Sequence, residues 1–260
     1  MMIMPESELF GFKSTLMFDF DNTLLLMDED KFIKTYFSLV AKKFEKEIPL
    51  EDFFRYMSQS TLSMTSNKEQ KMTNDEKFLK DFELMTKIDR EVIISRFSDF
   101  YLKEFSLVQN VTKPHPFGFS TIEKAMKKGY KIVIASNPFY PEMVSDIRLG
   151  WAGLENFKND IALITTSDLM HFTKPDINYY KEILELIDEK PENCIMIGND
   201  YLNDGIASVI GIDVFLLDGT ELNNSMAEPH FLDEESKRLV GNKKFDIRYS
   251  GTLKYFFESL

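Results

Sequence analysis

The chain has 260 residues, 43% of them hydrophobic and 28% charged, a globular balance that excludes wholesale disorder. Its formal net charge of −12 disfavours nucleic acid or an anionic membrane surface as partner, yet admits a phosphorylated metabolite where a metal ion and local cations offset the charge. One cysteine, Cys194, rules out an intrachain disulfide framework or a cysteine-based zinc site; no leader pattern opens the sequence and no apolar run reaches the roughly 18 residues that span a bilayer, so the expected compartment is the cytoplasm.

In chain order, Thr15–Phe18 is a short run ending at Asp19, without the alternation of a half-exposed strand. Such a run fits a strand buried on both faces of a parallel sheet. From Met27 to Thr112 the rhythm changes. Phe32, Tyr36, Leu39, Val40 and Phe44 recur at helical period, similar patches cover 53–62, 78–85 and 92–105, and Pro49 is the one proline. This predicts an all-helical insertion with no clear strand, and residues 112–118, holding two prolines and a glycine, read as its return linker.

Beyond the linker, helix-like and strand-like segments alternate. Helices are predicted over 121–128, 141–149, 176–187 and 202–210. Strands are predicted over 131–135 before Ser136, 161–164 before Thr165, 194–197 before Gly198, and 214–217 before Asp218. Residues 220–244 are polar and acidic, and read as an extended surface loop with a short helix. The pattern predicts an α/β fold, a doubly wound and mainly parallel sheet, with 1–26 and 113–260 forming the core and 27–112 an all-helical domain. Sheets of this kind bind ligands beyond the carboxyl ends of their strands, where the strand order reverses. The polar residues after each apolar run occupy those ends.

Four of these strand ends carry chemistry-bearing residues. Asp19 and Asp21, two apart, can face one pocket if the chain turns there, so that one attacks while the other handles protons, and their oxygens can hold a hard cation. Two carboxylates this close push their proton affinities apart unless a cation intervenes. Ser136 and Asn137 offer a hydroxyl and backbone N–H groups suited to a phosphoryl oxygen. Lys174 is a point charge able to neutralise a phosphate and an attacking carboxylate together, and Pro175 suits the first turn of the next helix. In Gly198-Asn199-Asp200-Tyr201-Leu202-Asn203-Asp204, Asp200 and Asp204 stand four apart, one face of a helix start, where they could complete an oxygen-only Mg²⁺ shell. Each signal alone also fits a turn, a helix cap or a solvated lysine; four in this order, each after a strand, are far more specific.

At these residues the chain resembles the haloacid dehalogenase-like hydrolase superfamily. The Asp-x-Asp-x-Thr motif is met by Asp19, Asp21 and Thr23, the Ser or Thr ending the next strand by Ser136, and the lysine by Lys174. The Gly-Asp-x-x-x-Asp motif is met imperfectly, because Asn199 follows the glycine. Either the acidic register moves one place, to Asp200 and Asp204, or Asn199 contributes its amide oxygen. Asp200 is preferred as ligand because an anion neutralises Mg²⁺ better, leaving Asp204 as a second ligand or a group orienting Lys174.

The resemblance implies a Mg²⁺-dependent phosphatase acting on a small phosphorylated metabolite, with the helical insertion as a cap. Asp19 would be the nucleophile and Asp21 the general acid and base. Thr23, Ser136, Asn137 and Lys174 would stand at the phosphate, Thr23 more to fix the Asp19–Asp21 turn than to touch substrate, and Asp19, Asp21 and Asp200 at the metal. Relatives that cleave carbon–halogen bonds lack an acid where Asp21 stands, since halide leaves without a proton, so phosphatase chemistry is favoured over dehalogenation. A phosphomutase acting on a sugar phosphate keeps the same motifs, and a non-catalytic interaction protein could keep the fold; both stay as alternatives. Arg55, Lys68 and Lys71 are candidates for a substrate's distal group, whereas His115 and His171 lack partner motifs and receive no role.

Overall fold

The computed structural model describes residues 13–66, 68–217, 245–247 and 249–260; the predicted loop 220–244 lies outside them. A six-stranded sheet of parallel pairs organises the molecule. Its strands are β1 (Thr15–Phe18), β4 (Lys131–Ile134), β5 (Leu163–Ile164), β6 (Cys194–Gly198), β7 (Asp213–Leu217) and β8 (Tyr249–Gly251), in the spatial order β5-β4-β1-β6-β7-β8. The chain builds outward from β1 through β4 to β5, then returns to the other side of β1 with β6. The reversal therefore falls between β1 and β6, where a doubly wound sheet opens its crevice.

Strand periodicity divides the core in two. Leu16, Phe18, Ile132, Ile134, Ile195 and Ile197 face one side, packing with Ile122, Val144 and Phe256. Met17, Val133, Cys194 and Met196 face the other, packing with Tyr179, Tyr180 and Ile183. The helices that supply these partners are α5 (Gly118–Lys127) and α6 (Glu142–Trp151) on the first side, joined by the C-terminal helix α8 (Leu253–Ser259), and α7 (Ile177–Ile187) on the second. Each fully buried side chain of this kind stabilises the fold by about 1.5–3 kcal/mol. Both faces are apolar, which is why the strand runs in the sequence do not alternate.

The insertion is bounded by a feature that the sequence reading lacks. β2 (Leu25–Met27) and β3 (Thr112–Pro114) pair antiparallel, with Leu25 opposite Pro114 and Met27 opposite Thr112. Three-residue strands hold too few residues for any period to register. Between them lie α1 (Glu29–Ala41), α2 (Leu50–Ser66), α3 (Asn74–Thr86) and α4 (Arg90–Lys103). Asp28 caps α1, Asp89 caps α4, and Thr73 with Glu76 forms a reciprocal capping box on α3. Phe44 packs against Phe53, Phe82 and Phe97 at centroid distances of 5.4–5.6 Å, so these aromatics are core. The apolar cluster is continuous from the sheet into the insertion, joining Phe18, Phe20 and Leu24 to Phe32, Tyr36 and Phe44.

Two smaller expectations are corrected. The helix predicted over 202–210 is a turn followed by a 3₁₀ helix, Gly205–Ile210. Pro175 precedes the N-cap Asp176, whose side chain accepts the Asn178 N–H, rather than sitting in the first turn of α7. Among the described residues no helix is long and apolar enough to cross a membrane.

Helix α3 docks by its N-terminus onto the segment that leads into Lys174. The Asn74 N–H donates to the Met170 carbonyl and the Asp75 N–H to the Ser167 carbonyl, each at 2.8 Å. The Asn74 side chain donates to the Phe172 carbonyl at 3.0 Å, and buried Lys77 donates to the His171 carbonyl. Burial, reinforced by Asp168, pushes Asp75 up from 3.8 to about 6. The folded protein therefore holds the Asp75 proton more tightly than the unfolded chain, and stability falls as pH rises through that window. Asp75→Asn is expected to gain melting temperature over wild type as pH rises from about 4 to 6, with a constant advantage above that range; thermal melts of both proteins across pH check it, and parallel curves would contradict it.

Candidate active site

The ladder between β1 and β6 runs one residue past the strands: the Asp19 N–H donates to the Ile197 carbonyl at 2.8 Å. That bond sets Asp19 beside Gly198, at the carboxyl edge where the strand order reverses. Lys174, buried and arriving from the loop before α7, donates to Asp19 Oδ1 at 2.8 Å and to Asp204 Oδ1 at 2.6 Å. Asp204 Oδ2 accepts the Asp200 N–H at 2.9 Å. Burial alone would pull the lysine down, but Asp19 and Asp204 hold it well above its ordinary value. Burial raises Asp19, against the pull of Lys174 and with the help of Asp21; it raises Asp204 to about 7, again against Lys174.

Gly198 is required by a close approach. A Cβ at that position would run into the Asp204 carboxylate, so only glycine lets Asp204 lie against the end of β6 and reach Lys174. The Asp200–Asp204 pair is consequently not one face of a helix. Asp200 Oδ1 accepts the N–H groups of Leu202 and Asn203, both at 2.8 Å, which folds the segment into a turn and sends the two carboxylates to different tasks. Asp204 is fully buried, with Oδ1 on Lys174 and Oδ2 on the Asp200 N–H, and is placed as the partner of Lys174.

After Asp19 the chain turns sharply. The Phe20 carbonyl accepts from the N–H groups of Leu24 and Leu25, and Asn22 takes a left-handed backbone, φ 56°. Asparagine tolerates that region, and its side chain secures the turn by accepting the Met27 N–H and donating to Glu29 Oε1 at 2.7 Å. Thr23, expected at the phosphate, is fully buried and donates its hydroxyl to Asn199 Oδ1 at 3.2 Å. It ties two loops together. The same bond turns the Asn199 amide oxygen toward Thr23.

Ser136 and Asn137 follow β4 on the same edge. The Ser136 carbonyl accepts from Thr165 Oγ1 at 2.6 Å and from the Tyr179 hydroxyl at 2.7 Å, while Asn137 Oδ1 accepts the Lys174 N–H at 3.2 Å. A narrow pocket lies there, lined by Phe20, Ser136, Asn137, Tyr140, Arg148 and Thr165 among others. The structure thus gathers Asp19, Asp21, Ser136, Asn137, Lys174, Asn199, Asp200 and Asp204 at one edge of the sheet. Arg55 pairs with Asp52 on the exposed face of α2, and His171 pairs with Glu182.

Sequence reasoning missed Arg148. Its guanidinium Nη2 donates to Asp21 Oδ1. Burial raises Asp21, Arg148 opposes that rise, and Glu29 adds to it. Within the run Asp146-Ile147-Arg148-Leu149, an arginine reads as the solvated side of a helix, and nothing in the spacing marks it as buried.

With this geometry in hand, comparison with known proteins is direct. Residues 13–207 match the family model of the haloacid dehalogenase-like hydrolases. The chain belongs to that family. A glyceraldehyde 3-phosphate phosphatase of Methanothermobacter thermautotrophicus is 30% identical over 125 residues, 46% of this chain and 53% of the relative, so the match spans about half the relative's length. A haloacid dehalogenase-type phosphatase from Thermococcus onnurineus superposes with a TM-score of 0.54 at 17% identity, covering 94% of this chain and 96% of the other. A predicted phosphatase from Clostridium acetobutylicum does so with a TM-score of 0.51 at 16% identity, covering 95% and 98%. At these identities the solved structures establish the fold alone.

Adding one methyl group at the end of β6 tests the packing behind this site. Gly198→Ala is expected to cost about 1–3 kcal/mol of stability and to dislodge Asp204 from Lys174, seen in denaturant unfolding. Stability equal to wild type would contradict the close approach.

Proposed function

We propose that this hydrolase is a Mg²⁺-dependent phosphatase of a small phosphorylated metabolite, working through an aspartyl-phosphate on Asp19. The observation that carries this reading is the pairing of a buried lysine with Asp19 at the sheet's reversal point, two residues before a second carboxylate, Asp21. Lys174 keeps Asp19 oriented and offers positive charge to an incoming phosphoryl group. Asp19 attacks phosphorus in line with the leaving oxygen; Asp21 gives that oxygen its proton, then takes one from the water that hydrolyses the intermediate. The Asn137 N–H and the Ser136 hydroxyl are the candidate partners of the remaining phosphoryl oxygens.

The donor set fits a hard cation. Asp19 and the Asp21 backbone carbonyl are oxygen donors of the kind a hard cation takes, and Asp200 joins the same cluster through its N–H to Asp204 Oδ2. Among the described residues no group of three His, Cys, Asp or Glu side chains is arranged to hold a metal. Mg²⁺ binds through one or two carboxylates and keeps several waters. Asp19, the Asp21 backbone carbonyl and Asp200 are the residues that would hold it, with Asn199 as the alternative to Asp200. When bound, the ion would offset the repulsion between carboxylate and phosphate and supply charge to the transition state.

An acid at position 21 favours a leaving group that needs a proton, as an alkoxide does and a halide does not. The relative named for glyceraldehyde 3-phosphate makes three-carbon phosphates the first compounds to test.

The test is hydrolysis of para-nitrophenyl phosphate and glyceraldehyde 3-phosphate, with Mg²⁺ and with excess chelator. Asp19→Asn and chelation are each expected to abolish turnover, and Asp21→Asn to slow it by about 10²–10⁴-fold on glyceraldehyde 3-phosphate. Turnover that survives either Asp19→Asn or chelation would remove this reading.

A further inference from the structure

Arg148 lies on α6, outside the four motif segments, yet it is 3% exposed. Its guanidinium is caged by three rings from three parts of the chain. Phe20, between the two aspartates, stands 5.0 Å away, Tyr140 after the Ser136 turn also 5.0 Å, and Phe32 on α1 5.9 Å. Such a cage offers cation–π contact. Asp21 Oδ1 adds a hydrogen bond by accepting from Nη2, which leaves Oδ2 out of the contact, while Arg148 Nε is buried with no hydrogen-bond partner. The arginine is therefore held by packing and grips one oxygen of a carboxylate whose side chain is 39% exposed.

We infer that Arg148 is a positioning residue for Asp21, holding Oδ1 so that Oδ2 is presented to the leaving oxygen; this rests on the phosphatase reading above. In the step concerned, the bond from Asp19 to phosphorus forms as the bond from phosphorus to the leaving oxygen breaks. The electron pair stays on that oxygen, which takes the proton from Asp21. Afterwards Asp21 is a carboxylate ion, and the guanidinium steadies it in place until water returns the proton. In this role Arg148 acts on the substrate through Asp21. Its effect should scale with how much the leaving group depends on being protonated.

The test compares 4-nitrophenyl phosphate, whose leaving group departs as a stable anion, with phenyl phosphate, whose more basic leaving group needs the proton. The full chain is used as wild type, Arg148→Gln, Arg148→Lys and Arg148→Met, the last preserving the packing of the stem against the rings. In Arg148→Gln and Arg148→Met, kcat on phenyl phosphate is expected to fall about tenfold further than kcat on 4-nitrophenyl phosphate, with KM little changed; Arg148→Lys, which keeps a charged donor, recovers part of the loss. In an Asp21→Ala background, Arg148→Gln should have no further effect on either ester. An equal fall on both esters, a rise in KM alone, or a loss that persists without Asp21 would overturn the inference. Wild type inactive on both esters with Mg²⁺ is a different result, and would remove the phosphatase reading itself.

Discussion

The ammonium of Lys174, buried between Asp19 and Asp204, is the constraint around which the rest of this site is organised. Charges this deep are tolerated only when paired and hydrogen-bonded, and removing one partner leaves another stranded. The three members come from the end of β1, the loop before α7 and the turn after β6, so the pairing ties three chain segments into one geometry. Its position is fixed by topology. Parallel strands β1 and β6 are neighbours because the winding reverses between them, and their ends are where polar side chains can converge without disturbing either apolar core.

Much of the surrounding structure keeps that geometry in place. Gly198 leaves room for the Asp204 carboxylate, and Thr23 links the turn after β1 to Asn199. Asn137 accepts the backbone N–H of Lys174, and the N-terminus of α3 holds the segment just before it. The last contact is notable because α3 belongs to the helical insertion. The insertion therefore touches the site at several points, among them the approach to Lys174, Glu29, which accepts from Asn22, and Phe32, which lies over the Arg148 guanidinium.

The strands were legible because both faces of the sheet are buried, which produces short continuous apolar runs. Asp19 and Ser136 were legible as polar residues that stop such runs and follow adjacent strands, whereas Lys174 reaches Asp19 from the loop before α7. Legibility ended where the third dimension alone decides. The roles of Asp200 and Asp204 could not be separated from spacing, because an i, i+4 pair suggests a shared helical face, whereas the chain makes a turn stabilised by Asp200 itself. Arg148 was invisible because its cage is assembled from residues 20, 32 and 140, far apart in sequence, and an arginine in an amphipathic helix ordinarily points to water. The β2–β3 ribbon escaped because its strands are too short to show a period.

In the function proposed above, Asp19, set against Lys174, is a nucleophile that becomes phosphorylated. The most direct measurement is an acid quench of enzyme mixed with excess Mg²⁺ and a rapidly turned-over phosphate ester, followed by proteolysis and mass spectrometry. One phosphoryl group is expected on the peptide containing Asp19, labile to hydroxylamine and missing when Asp19 is replaced by Asn. Full turnover with no phosphoryl group on that peptide, or with one on another residue, would contradict it.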